Sequence, residues 1–144
     1  MTKTDTRVIQ QFTLLHCPCV PPDPRFDDPC HDAIKASPPV GCTPVEVGGL
    51  FGLDCRREAP TLLEAVAAVC AEVTSAHGIA LRDLSVEKLW EFSCDGPNGW
   101  GATIVGQLLL MAAERGALLG YSIEDLIGFL STLDSAHPDQ VEGD

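Results

Sequence analysis

The residues of this chain best suited to chemistry are thiols and imidazoles, and they crowd into one stretch. His16-Cys17-Pro18-Cys19 comes first, then Cys30-His31, then Cys42 and Cys55. Thiolate sulfur and imidazole nitrogen are the ligands that soft divalent metals prefer, and a closed structural zinc site takes four of them. Cys17 and Cys19 are near enough to share one ion, and the proline between them stiffens the link. Cys30 and His31 then add one sulfur and one nitrogen. The spacing therefore predicts Cys17, Cys19, Cys30 and His31 as the ligands of a zinc ion, with Cys42 and Cys55 in reserve and His16 able to replace His31. Zinc modules usually pair cysteines as Cys-x-x-Cys, whereas this chain has Cys-x-Cys and no second matching pair. Inert thiols, and disulfides within the arm, stand beside the metal as readings of the same residues.

The other chemical candidates are poorer. Cys94 precedes Asp95-Gly96, but its predicted place at a helix C-terminus faces the negative pole of the helix, the wrong setting for a nucleophile. Cys70 falls on an apolar helical face and reads as core. Gly96-Pro97-Asn98-Gly99-Trp100-Gly101 opens a helix, but the dinucleotide fingerprint needs a preceding strand, and no Gly-Lys-Ser/Thr follows. Glu87 and Glu91 share a face with only Lys88 and solvent about them. The sequence holds no Gly-x-Ser-x-Gly, no His-Glu-x-x-His and no calcium loop.

Charge narrows the classes further. Nine Lys and Arg stand against 21 Asp and Glu in 144 residues, a formal charge of −12. Phosphate backbones and anionic membranes are bound by basic patches, so nucleic acid and membrane surfaces are excluded as partners. A solvated surface, or attraction to a basic protein surface, accounts for the acids. The most apolar window, Ile104 to Ala113, is too short to span a bilayer. The polar start from Met1 to Arg7 does not read as a secretory signal, which predicts a cytoplasmic protein with reduced cysteines.

Two stretches of different composition must position these residues. Proline is concentrated between Pro18 and Pro60, and proline restricts its predecessor to extended backbone, so no long helix is expected through 17–59. Val8 to Leu15 suits a strand about as well as a helix, and Pro44-Val45-Glu46-Val47 is extended before Gly48-Gly49. Residues 1–59 are accordingly expected as an irregular, partly β arm packed on a helical body at 60–134, with a polar tail at 135–144, all in one domain.

The body is expected to hold four helices in two hairpins, making the fold class mainly α. Thr61-Leu62-Leu63-Glu64 has capping-box spacing, and Leu62, Val66, Val69, Cys70 and Val73 share a face before Gly78 stops the first helix. The second is predicted from Ser85 to Cys94. The third, from Trp100 to Arg115, is apolar nearly all round and is expected at the centre of the core, so that an acidic residue at Leu109 or Leu110 would prevent folding. Ser122 opens the fourth, which echoes the second. Ile123, Leu126, Ile127, Phe129 and Leu130 supply its apolar side.

These features predict a cytoplasmic protein-binding or regulatory module with an acidic surface, a structural zinc ion in its arm and a protein partner, with self-association left open. The alternative is a metal- or thiol-dependent enzyme using the Cys/His cluster.

Overall fold

The computed structural model describes residues 8–16 and 24–136. Local chemistry begins the sheet at Gly48-Gly49, where both residues have positive φ (57° and 85°). A two-residue turn of that kind matches the twist of a tight hairpin, and glycine adopts it without strain. It joins strand β2 (Cys42–Val47) to strand β3 (Leu50–Ala59), and β3 also pairs antiparallel with strand β1 (Val8–His16), so that β3 lies between the other two. A short strand β4 (Leu81–Asp83) pairs with the outer side of β1, giving the order β2-β3-β1-β4.

Alternation on β3 shows which way the sheet faces. Phe51, Leu53, Cys55 and Ala59 are buried, while Asp54, Arg56 and Glu58 are exposed. Antiparallel register sets Leu14 opposite Leu53, Phe12 opposite Cys55 and Gln10 opposite Arg57, so β1 adds to the same inner face. Thr13 and Asp54, opposite each other outside, share a hydrogen bond of 2.8 Å. Pro44 fits β2 because that strand is an edge. The Arg56 N–H donates to the Gly41 carbonyl (2.9 Å), so two-residue alternation puts Cys42–Cys55 and Pro44–Leu53 at non-hydrogen-bonded positions. The missing proline N–H is not needed there.

Helix α1 (Asp32–Ala36) follows a 3-10 turn (Pro29–His31) whose first free N–H, that of Cys30, is accepted by Asp28 (2.9 Å). Helix α2 (Leu62–His77) supplies the other half of the core, with Leu62, Ala65, Val66, Val69, Cys70 and Val73 buried. Thr61 accepts from the Glu64 N–H at its start, and Gly78, at φ 68°, ends it in the left-handed conformation. Arg57 forks onto Glu72 at 3.0 and 2.6 Å, tying β3 to the outer side of α2.

Three expectations are overturned. The fold is not mainly α: among the described residues a four-stranded antiparallel sheet stands with four helices, an α+β architecture built largely from the stretch expected to be irregular. Ser85–Cys94 is not a helix, so there are not two helical hairpins in 60–134. Leu81–Asp83 is strand, only Leu89–Glu91 makes a 3-10 turn, and Ser85 takes φ 64°. Hydrogen bonds accompany the turn that replaces the helix start. Gln107 Oε1, from helix α3 (Trp100–Leu118), accepts the Leu84 N–H at 2.5 Å, and Asp83 accepts the Ser85 N–H at 2.7 Å, which fixes the backbone in a turn. Third, α3 is not central. Ala102, Ile104 and Gln107 are buried, but Leu108 and Leu109 are 47% and 42% exposed.

Contacts divide the chain into two compact units, Met1–Leu108 and Leu109–Asp144. The first holds the sheet, α1, α2 and the start of α3. The second holds the end of α3 and helix α4 (Ile123–Ala136). Ser122 Oγ accepts the Asp125 N–H (3.0 Å) while Asp125 accepts the Ser122 N–H (2.8 Å), a reciprocal capping box at the start of α4. Among the described residues no helix is long and apolar enough to cross a membrane.

Candidate functional site

The predicted metal ligands fall in two groups. Cys17 and Cys19 lie outside the described residues. Cys30 and His31 lie in the 3-10 turn, Cys30 half-buried and His31 fully buried. The partner that the structure brings to His31 is His16, the last residue of β1. Its Nδ1 is 2.9 Å from His31 Nε2, and both rings are wholly buried. One ring nitrogen must donate and the other accept, which requires at least one ring to be neutral. The rings meet edge to face, with centroids 5.1 Å apart.

A stack of aromatic rings fixes this pair. His31 lies flat on Phe51, with centroids 4.3 Å apart and planes 6° from parallel, and Phe26 stacks on Phe51 at 6.0 Å. Lys35 Nζ sits 4.4 Å over the Phe26 ring and donates to the Phe26 carbonyl at 2.9 Å. Sequence spacing offered His16 as a substitute for His31. The structure sets the two side by side, because β1 ends where Phe51 of β3 begins. Among the described residues no three His, Cys, Asp or Glu side chains converge as a metal site.

The reserve ligands form a second, separate pair. Cys42 and Cys55 are directly opposed across β2 and β3, with sulfurs 3.3 Å apart, and both are buried. The hydrogen bond between the two sulfurs holds the Cys42 thiol below the usual range, with the Arg57 guanidinium adding to the effect. The same bond, together with burial, pushes the Cys55 thiol far up. Cys70 faces the core, donates to the Leu81 carbonyl at 3.4 Å, and is pushed up by burial.

The glycine-rich loop before α3 serves the fold. Asp95 accepts the Trp100 and Gly101 N–H groups, each at 3.0 Å, and so caps α3. Asn98 Oδ1 accepts the Leu62 N–H at 2.9 Å and Gln10 Nε2 at 3.2 Å, so the same loop also closes the start of α2. An open apolar cavity of about 480 Å³ lies beside it, lined in part by Leu63, Phe92, Cys94 and Val105. Asp95 thus occupies the Trp100 and Gly101 N–H groups at the start of α3.

Within the second unit the noteworthy feature is α4 itself. Ile123, Leu126, Ile127, Phe129, Leu130 and Leu133 recur at helical spacing and form one continuous stripe. Leu126 is half-buried and lies near Gly116; the other five are 48–64% exposed. Glu124, Asp125, Ser131 and Thr132 occupy the opposite face. The first five residues of the stripe are those that the sequence predicts as the apolar side of this helix.

An α+β unit with a buried imidazole pair and a separate acidic segment bearing an uncovered amphipathic helix is thus the class that fold and site define. No protein-family model matches the chain, and neither a curated protein nor a solved structure is similar enough to it to match.

Proposed function

We propose that this chain is a cytoplasmic, regulatory protein-binding module that docks α4 into an apolar groove with a basic rim on a partner protein. The uncovered stripe on α4 carries the reading. A helix of 14 residues is marginal in water on its own, and an apolar face needs to be buried to hold it. Amphipathic helices laid in grooves are anchored by residues at this spacing. Charge identifies the occupant. From Leu109 onward Arg115 is the only Lys or Arg, against Glu114, Glu124, Asp125, Asp134 and further acids beyond. A second copy would set acid against acid, whereas a basic rim complements it.

Two synthetic helical peptides of equal length, one of Leu and Lys and one of Leu and Glu, test this with the full chain. The Leu/Lys peptide should bind, more weakly as salt rises, because screening shortens the reach of exposed charges to about 8 Å at physiological ionic strength. Ile127→Asp should weaken it at least ~10-fold, the scale of an interface anchor. Equal binding of both peptides, indifference to Ile127→Asp, or a dimer in sedimentation would each defeat the reading.

A structural zinc ion in the arm is a second reading, supported by the meeting of His16 and His31. His31, or His16 in its place, would supply the nitrogen, and Cys17, Cys19 and Cys30 are the three sulfurs that complete a four-ligand site. Elemental analysis of protein purified without a metal-affinity tag should give close to one zinc per chain, falling in His31→Ala. A full chain without zinc after purification in zinc-supplemented buffer would remove the proposal.

A further inference from the structure

We infer that Cys42 and Cys55 form a dithiol modification site, at which a hydroperoxide is reduced and a cross-strand disulfide forms. The geometry comes from the hairpin. The turn at Gly48-Gly49 sets the register, and the register puts the two cysteines opposite each other at a non-hydrogen-bonded position. At such positions the Cα atoms of antiparallel strands approach to about 4.5 Å and the side chains are closest. That separation lies within the range a disulfide spans, about 4.4–6.8 Å. The sulfurs, already 3.3 Å apart, need only close on each other without moving either strand.

The roles of the two sulfurs differ. Cys42 lies on the edge strand, where its hydrogen bond with Cys55 and then the nearby Arg57 favour a thiolate, and Cys55 is on the inner strand and keeps its proton. Cys42 is therefore the attacking sulfur and Cys55 the resolving one. The Cys42 thiolate attacks one oxygen of hydrogen peroxide, the O–O bond breaks, and the departing hydroxide takes a proton to become water. Cys42 is left as a sulfenic acid. The Cys55 sulfur then attacks the Cys42 sulfur, and the hydroxyl leaves with the Cys55 proton as a second water. Two thiols and one peroxide give one disulfide and two waters; each sulfur loses one electron, and the peroxide gains both. Only a small oxidant suits this site, since Cys42 is 7% exposed and Cys55 2%.

The test uses the full, reduced chain, treated with a few-fold excess of hydrogen peroxide, denatured, alkylated and analysed by peptide mass. The expected product is a peptide containing both cysteines, lighter by two hydrogens and unalkylated, which a dithiol reductant restores. Cys55→Ser should leave Cys42 as a sulfenic acid that a 1,3-dione probe captures, whereas Cys42→Ser should leave Cys55 a plain thiol. Exposed Cys94 provides the internal comparison. Oxidation of Cys94 with Cys42 and Cys55 both still alkylated would overturn the inference, as would a disulfide joining Cys42 to any other cysteine. The wild-type result decides the matter even if a serine variant folds poorly, because it requires no substitution.

Discussion

Replacing Phe51 by alanine should cost about 3–5 kcal/mol and leave the first unit close to unfolded. The side chain is wholly buried on the inner face of β3 and is the surface on which both Phe26 and His31 stack. Truncation removes the transfer energy of the ring and leaves a cavity between a sheet and a helical turn that are held in place by other contacts. The loss should also be visible at the imidazole pair, since the Phe51 ring orients His31 toward His16. Urea unfolding of the full chain measures the stability, and the histidine ring signals in NMR report the pair. Phe92→Ala provides the contrast: that ring is 54% exposed, and its loss should change stability by no more than about 0.5 kcal/mol. Equal effects of the two substitutions would show that the aromatic stack does not organise the core.

Ile104→Asp should have a still larger effect, while Leu109→Asp, five residues further along the same helix, should be nearly silent. Ile104 is 1% exposed on the side of α3 that enters the core, near the level at which a Cβ on Gly106 would come within 3.1 Å of both Leu63 and Leu84. An aspartate there would bury a carboxylate with no basic partner, at a cost of several kcal/mol, comparable with the whole stability of a small domain. Leu109 is 42% exposed, and a carboxylate at that position remains in water. Circular dichroism melts of the two full-length variants distinguish the cases. Should Leu109→Asp unfold the protein as completely as Ile104→Asp, α3 would be the central, enclosed helix that its composition suggests.

Composition misleads about α3 because an apolar residue does not carry its own burial. Ile104, Val105, Leu108 and Leu109 are similar in hydrophobicity, and only the first is buried, since α3 meets the sheet–helix core along one side. For β3 the signal was present in the sequence. Phe51, Leu53, Cys55 and Ala59 alternate with polar Asp54, Arg56 and Glu58, and Gly48-Gly49 is a two-residue hairpin turn. Proline and cysteine density masked it. Pro44 argues against a strand only if its nitrogen faces a partner, and on an edge strand at a non-hydrogen-bonded position it does not.

What the local sequence settled were features whose energy is local. Thr61 and Gly78 bound α2 as their side-chain and backbone chemistry requires, the Ser122–Asp125 box starts α4, and the apolar stripes of both helices follow from spacing alone. The acidic charge also needs no structure. Tertiary structure decided everything that depends on a remote group. Ser85 has the same capping grammar as Ser122, but it takes φ 64° beside a Leu84 N–H held by Gln107, and no helix follows it. Strand register brings Cys42 to Cys55, 13 positions on, and the packing of the 3-10 turn at the end of β1 brings His31 to His16, 15 positions back. Periodicity reports which face of an element is apolar. Which other element covers that face, or leaves α4 uncovered, is fixed by pairings between residues that are distant in the chain.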